Sequence, residues 1–294
     1  MQNIRGVYAA IVTPLAQDGS LDTAALRRLV KRELDRGVEG FYCCGSSGEG
    51  LLLETEERKK VVELVVGEAA GAVPVIVHTG SLSTGATIRL SLHAQAQGAA
   101  AVSLIPPIYY NYTAQEVFEH YAAVVDAVDI GVIVYNIPQF TGGISFTKKG
   151  NSSLLDKKRI IGIKHTSMNL YELERIRDAY PAKILFNGFD EIYLYSLMAG
   201  ADATIGTTVN LCPALFKAIR AAAAESRIDE ARRLQARLNA FIEALVDASI
   251  FPATKYALGV LGVDCGPCRR PFIDLDEGKR AKVRAALDAI AEFL

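Results

Sequence analysis

Tryptophan is missing from this chain, and methionine and histidine are scarce, with three and four copies. His78, His93 and His120 show no spacing of the HExxH kind, so they read as structural and no metal site is expected. Neither sign of charge predominates. The chain sets 32 Lys and Arg against 33 Asp and Glu, a formal net charge of −1, with no charged tail or block. That argues against a surface for nucleic acid or for an anionic membrane. Long apolar runs are lacking, since none reaches the roughly 20 residues that cross a bilayer. The apolar stretch after Arg5 ends at Pro14 without a small-residue cleavage site, so no targeting segment is expected. Five cysteines are too few, and odd in number, for a disulfide scaffold, and predict reduced thiols. The expectation is a soluble, cytoplasmic protein whose partners are small molecules.

Half of the residues are hydrophobic, enough for a large core. They alternate between short β-branched runs and longer amphipathic stretches. Strands are expected at Val7–Val12, Gly40–Cys44, Val75–His78, Ala101–Ile105, Gly131–Tyr135, Ile160–Lys164, Lys183–Phe186 and Ala203–Ile205. Helices are expected over Asp22–Arg36, over Thr55–Ala70, after Thr84 and after Thr113. A weaker one falls near Asn151–Leu155, and others over Asn169–Ala179, Glu191–Ala199 and Pro213–Ala224. Thr55, ahead of Glu56 and Glu57, reads as an N-cap with acids at the positive end of the helix dipole. Continuous apolar strands suit a parallel sheet buried on both faces. Eight β–α units predict an α/β fold, a single (β/α)8 TIM barrel over residues 1–225. Residues 226–294 read as additional C-terminal helices, Ile228–Ser249, Thr254–Leu261 and Asp276–Leu294, packed on the barrel as one structural unit. An open doubly wound sheet is the competitor, but Thr13-Pro14 ends the first strand where that fold carries GxGxxG.

A barrel of this kind places its chemistry at the C-terminal ends of the strands. Those ends read Thr13-Pro14, Gly45-Ser46-Ser47-Gly48-Glu49, His78-Thr79-Gly80, Tyr109-Tyr110, Tyr135-Asn136, Lys164-His165-Thr166, Gly188-Phe189-Asp190-Glu191 and Gly206-Thr207-Thr208. Lys164 closes the apolar run Ile160–Ile163. Burial disfavours an ammonium, and a neutral amine attacks a ketone to form a Schiff base. Most strand-end lysines snorkel to solvent instead. Tyr135 shifts the balance, because it ends the adjacent strand and can shuttle a proton there. Alone it would be a core aromatic with a satisfied hydroxyl. The Gly45–Glu49 loop suits a carboxylate or phosphate, or is an ordinary Ser/Gly turn. Asp190 and Glu191 can accept from sugar hydroxyls, or simply favour a helix dipole. Cys265-Gly266-Pro267-Cys268 has the spacing of a redox motif but lies outside any βαβ unit and has no second pair, so neither redox nor zinc chemistry is expected.

Six of these pieces, in order, make the chain resemble the N-acetylneuraminate lyase and dihydrodipicolinate synthase family over essentially its full length. They are Thr13-Pro14, the GSSGE loop, Pro107 with Tyr109-Tyr110, Tyr135-Asn136-Ile137-Pro138, Gly162-Ile163-Lys164 and Gly206-Thr207-Thr208. The lyase branch fits best. Gly188-Phe189-Asp190-Glu191 looks like its GxDE signature, and Gln139-Phe140 stands where the synthase branch usually has an arginine. Tyr171-Glu172-Leu173-Glu174 and Cys268-Arg269-Arg270-Pro271 are also similar to the lyases. The resemblance implies cleavage of N-acetylneuraminate to pyruvate and N-acetylmannosamine, with no cofactor beyond the Schiff base on Lys164. It implies that Ser46 and Ser47 hold the substrate carboxylate and that Tyr135 relays the proton of the C4 hydroxyl. Thr166, Gly188, Asp190, Glu191 and Thr207 then line the sugar-binding part. Tyr109 matches a tyrosine that enters a neighbouring subunit's site in the synthase branch, and the family is typically a homotetramer. Two departures stand out: Ser47 replaces a usual threonine, and Thr207 a common serine. Both keep the hydroxyl and move a methyl, which bears on which sugar acids fit.

Overall fold

Eight short parallel strands hydrogen-bond to one another in chain order and close into a barrel. The computed structural model describes residues 3–141 and 153–294. The strands are β1 (Gly6–Ala10), β2 (Gly40–Cys43), β3 (Val75–His78), β4 (Ala101–Leu104), β5 (Gly131–Asn136), β6 (Ile160–His165), β7 (Ile184–Asn187) and β8 (Ala203–Gly206). The helices between them are α1 (Thr23–Asp35), α2 (Thr55–Ala69), α3 (Thr84–Ala96), α4 (Ala114–Ala127), the one-turn α5 (Pro138–Thr141) and α6 (Ser153–Asp156), α7 (Leu170–Ala179) and α8 (Tyr193–Met198). After β8 come α9 (Pro213–Ala224), α10 (Ile228–Ala248), α11 (Ile250–Val260) and α12 (Glu277–Asp288). This is the (β/α)8 barrel with additional C-terminal helices that the alternation of periods predicts.

The alternation along each strand sorts the apolar residues into two layers. Tyr8, Tyr42, Ile76, Ala101, Ile133, Phe186 and Ala203 belong to a cluster that fills the lumen. Their neighbours Val7, Ala9, Phe41, Val75, Val77, Val102, Val132 and Val134 join the helices in a second, larger cluster. Parallel strands buried on both faces need apolar residues at every position, which is why these strands look continuous rather than alternating.

Some boundaries differ from expectation. The N-cap of α2 is Glu54, not Thr55; the Glu57 carboxylate accepts from the Glu54 amide at 2.8 Å, a contact only the residue before Thr55 can make. The segment after β7 opens with a 3-10 turn, Asp190–Ile192, before α8. α11 starts at Ile250 rather than Thr254, because Pro252 falls in the first turn, where a missing N–H costs nothing. The last helix stops at Asp288, followed by a 3-10 turn over Ala291–Phe293. Of the helix expected near Asn151–Leu155, Asn151 and Ser152 lie outside the described residues.

Candidate active site

The register of β5 and β6 brings the chemistry together. Tyr135 and Lys164 are Cα partners across the two strands, so both side chains enter the lumen at one height. Both are buried, Lys164 to 5% exposure. The Lys164 Nζ lies 4.0 Å from the Tyr135 ring centroid and 4.4 Å from that of Tyr42. One residue further, Asn136 and His165 are again partners and are tied by a 3.1 Å bond from Asn136 Nδ2 to His165 Nδ1. The Asn169 carbonyl accepts from His165 Nε2 at 3.1 Å. Burial lowers the pKa of His165, and a neutral ring matches that donor–acceptor pattern.

Behind Tyr135 stands His78. Its Nδ1 donates to the Cys44 carbonyl at 3.0 Å, its ring meets Tyr135 edge-on at 5.9 Å, and its Nε2 is buried without a partner. Burial first, then the charges of Arg58 and Lys164, push its pKa down to about 3. Arg58 is buried as well and donates to the carbonyls of His78 and Gly80 at 2.8 and 3.0 Å, locking α2 to the end of β3.

The loop after β2 is closed by two backbone bonds, Glu49 N–H to the Ser46 carbonyl and Gly50 N–H to the Gly45 carbonyl, both 3.0 Å. Among the described residues nothing accepts from the amides of Ser47 and Gly48. Thr13 donates its hydroxyl to the Gly48 carbonyl at 2.7 Å. Glu49 anchors the loop's far end: one oxygen sits 2.6 Å from Lys255 Nζ, and the other accepts from the Arg269 amide at 2.6 Å. A held loop with free amides and hydroxyls suits a carboxylate. The structure adds a link absent from the sequence reading: Ser47 Oγ and Thr207 Oγ1 are 2.6 Å apart. The two departures from the family pattern are thus partners in one hydrogen bond.

The opposite wall carries oxygen atoms. Asp190 is buried, with its Oδ2 accepting from the Thr208 amide at 2.9 Å and the Thr208 hydroxyl at 2.7 Å. Its Oδ1 has no partner. Burial raises its pKa to about 6 against those bonds. The Thr166 hydroxyl is also buried and unpartnered, in a space that exists because residue 188 is glycine; a Cβ there would lie 1.8 Å from Thr166 Oγ1. Gln235 of α10 donates to the carbonyls of Asp190 and Glu191 at 3.0 and 3.2 Å and fixes the turn from outside.

One cavity of about 270 Å³ is lined by Ser46, Ser47, Tyr135, Lys164, Thr166, Gly188, Asp190, Glu191 and Thr207. Tyr109 is not among them. It lies 88% exposed with φ at +85°, in an adjoining cleft that shares Ser46, Tyr135, Ile137 and Phe140 with the first. Sequence reasoning missed Tyr42, whose signal is a lone phenol pointing inward in the strand before the loop. It also missed Ile242, Val246, Ile250 and Phe251, the wall that α10 and α11 supply; nothing local marks these apolar helix residues as cavity lining. Larger clefts lie elsewhere, one of about 550 Å³ beside Lys255 and one of about 620 Å³ beside Arg5 and Lys183. The first includes the Cys268 thiol, which burial keeps protonated, and the second the Lys183 amine, which donates to the Lys157 and Ile160 carbonyls, so size does not choose the site. Cys265 and Cys268 are unbridged and buried, and burial raises both thiols to about 12. Among the described residues no cluster of His, Cys, Asp and Glu is arranged to hold a metal.

Comparison with known proteins sets this geometry in context. The model of the dihydrodipicolinate synthetase family matches residues 3–290. An N-acetylneuraminate lyase from Rhizobium meliloti is 42% identical over 284 residues, 97% of this chain and 94% of that protein. The crystal structure of an N-acetylneuraminate lyase from Fusobacterium nucleatum superposes with a TM-score of 0.93 at 32% identity, covering 99% of both chains. That of a dihydrodipicolinate synthase from Bacillus anthracis gives 0.94 at 26% identity, covering 99% of both. Backbone shape therefore does not separate the two activities; side chains in the mouth must.

Proposed function

The chain belongs to the dihydrodipicolinate synthetase family, and on that premise we propose that it is a class I aldolase cleaving N-acetylneuraminate reversibly into pyruvate and N-acetylmannosamine. The observation that carries this reading is the buried Lys164 beside its strand partner Tyr135, in a cavity that also gathers the hydroxyls of Ser46, Ser47, Thr166 and Thr207 and the acids Asp190 and Glu191. The Lys164 amine adds to the C2 ketone, the carbonyl oxygen leaves as water, and a cationic imine results. Ser46, Ser47 and the free loop amides hold the C1 carboxylate. Tyr135 gives its phenolic proton to the departing water, and the phenolate so formed takes the proton of the C4 hydroxyl as the C3–C4 bond breaks. The bond's electron pair moves into the imine, leaving an enamine and the aldehyde of N-acetylmannosamine. The enamine takes a proton at C3, and water hydrolyses the imine to pyruvate and free lysine. The lysine is the electron sink, so no metal or organic cofactor enters.

Thr166, Gly188, Asp190, Glu191 and Thr207 receive the sugar hydroxyls, with the unpartnered oxygens of Thr166 and Asp190 as the first contacts to test. Tyr109 acts across a subunit boundary in a homotetramer. Its exposure and left-handed backbone support a role completed by a neighbouring copy. Residues 1–225 and 226–294 act as one unit, since the helical extension walls the cavity. Five unbridged, buried thiols support a cytoplasmic setting. The deciding experiment measures pyruvate release from N-acetylneuraminate by the native protein and by Lys164→Ala. Release by the first alone supports the reading. No release by a folded native protein refutes the sialic acid assignment and turns attention to shorter 2-keto-3-deoxy acids.

A further inference from the structure

Two aromatic rings, not an acid, face the Lys164 nitrogen. Tyr42 lies 4.4 Å away and Tyr135 4.0 Å away, ring centroid to Nζ, and the two rings stand at 87° to each other. Among the described residues Lys164 has no ion pair; the buried carboxylate in the same cavity, Asp190, gives its Oδ2 to Thr208. Tyr42 is held firmly. It is fully buried, its hydroxyl reaches Ser103 Oγ at 3.2 Å, and Gly45 leaves room for its ring, since a Cβ there would lie 2.5 Å from Tyr42 Cε1. Burial pushes its phenol well above the usual range, so the ring presents a neutral π face.

A ring face attracts a cation through its quadrupole. A carboxylate in this place would bind the ammonium and occupy its donors before substrate arrived. Two faces offer a weaker, directionally open attraction that leaves the nitrogen accessible to a ketone. Once water has left and the imine carries its positive charge, the faces stabilise that charge on the side away from the substrate carboxylate, where among the described residues no protein carboxylate pairs with the nitrogen. We infer that Tyr42 is a catalytic residue, one half of an aromatic cage with Tyr135 that stabilises the cationic imine on Lys164. The inference rests on the Schiff-base reading above.

The test replaces residue 42 and measures two quantities: the fraction of protein trapped as a reduced imine by borohydride with pyruvate alone, and kcat for cleavage. Tyr42→Phe keeps the face and loses only the Ser103 bond, so both quantities should stay within about three-fold. Tyr42→Leu should lower the imine equilibrium by about five- to thirty-fold, the scale of a desolvated cation–π contact. Phenylalanines with one, two and three ring fluorines at position 42 keep the shape and drain the face, which covers the case in which the leucine variant does not fold. Stepwise loss of trapping with each fluorine supports the cage. Trapping that is strong in the native protein and indifferent to fluorination overturns it, as does a Tyr42→Phe loss equal to that of Tyr42→Leu. If the native protein traps no pyruvate, the Schiff-base reading fails first, and the cage with it.

Discussion

Among the described residues two lysines are almost fully buried, and they are held in opposite ways. Lys164, 5% exposed at the end of β6, rests its nitrogen on ring faces. Lys255, 3% exposed in α11, sets its nitrogen 2.6 Å from the Glu49 carboxylate and 2.8 Å from the Pro267 carbonyl. Burial alone therefore does not make a nucleophile. An ammonium whose charge is matched is a strut, and Lys255 braces the carboxylate-binding loop against the C-terminal helices. A nitrogen with no counter-ion, opening on a cavity, has a free approach for a carbonyl carbon.

The largest expected effect separates the two lysines directly. Lys164→Ala should reduce pyruvate release to background and abolish borohydride trapping while the protein stays folded. Lys255→Met should still trap pyruvate wherever it remains folded; loss of trapping in a folded Lys255 variant would erase the distinction. Next comes Tyr135→Phe. General acid–base catalysis is worth about 10²–10⁴-fold, so kcat should fall by that order while imine trapping persists. Loss of trapping instead of turnover would make Tyr135 a scaffold for Lys164 rather than a proton relay.

The strut carries its own prediction. Removing one partner of a buried pair costs about 3–5 kcal/mol because the other charge is left unmatched. Glu49→Gln or Lys255→Met should each lower stability by that order in denaturant unfolding, and the double variant should recover part of it. Additive losses would mean that the two charges do not act as a pair.

Glu33 sharpens the contrast as an acid that is only half matched. Glu33 is fully buried, with Arg32 2.6 Å from one oxygen and the other oxygen unpartnered. Burial outweighs Arg32 and raises its pKa to about 8. The folded state then keeps a proton that the unfolded chain releases near the ordinary carboxylate value. Between those two values the folded state binds more protons, so stability falls as pH rises, and the fall ends above about pH 8. Glu33→Gln should flatten that decline, equal the native protein near pH 5 and exceed it near pH 9. Parallel melting curves across pH for both proteins would rule the account out.

Much of the site was legible because barrel strands point their ends at one mouth. Reading residues off those ends finds Lys164, Tyr135, the Gly45–Glu49 loop and the Gly188–Glu191 turn without coordinates. Tyr42 was not found, because inside a strand a phenol looks like core. Lys255 was not found either, because a lysine in a helix looks like surface. The register shift between Val132 and Ile133 against β6 leaves no trace in the sequence, yet the pairing of Tyr135 with Lys164 depends on it.

By itself the sequence determined the architecture and the chemical types at the mouth. Local periods of two and 3.6 settle strand against helix, and eight such units settle closure. Only the tertiary structure decided the partners. Ser47 meets Thr207 across 160 residues of chain, Glu49 meets Lys255, and α10 and α11 fold back to wall the cavity. Those contacts join side chains whose local patterns are unremarkable, and their positions follow from how the barrel closes and how the last helices pack, which no local period encodes.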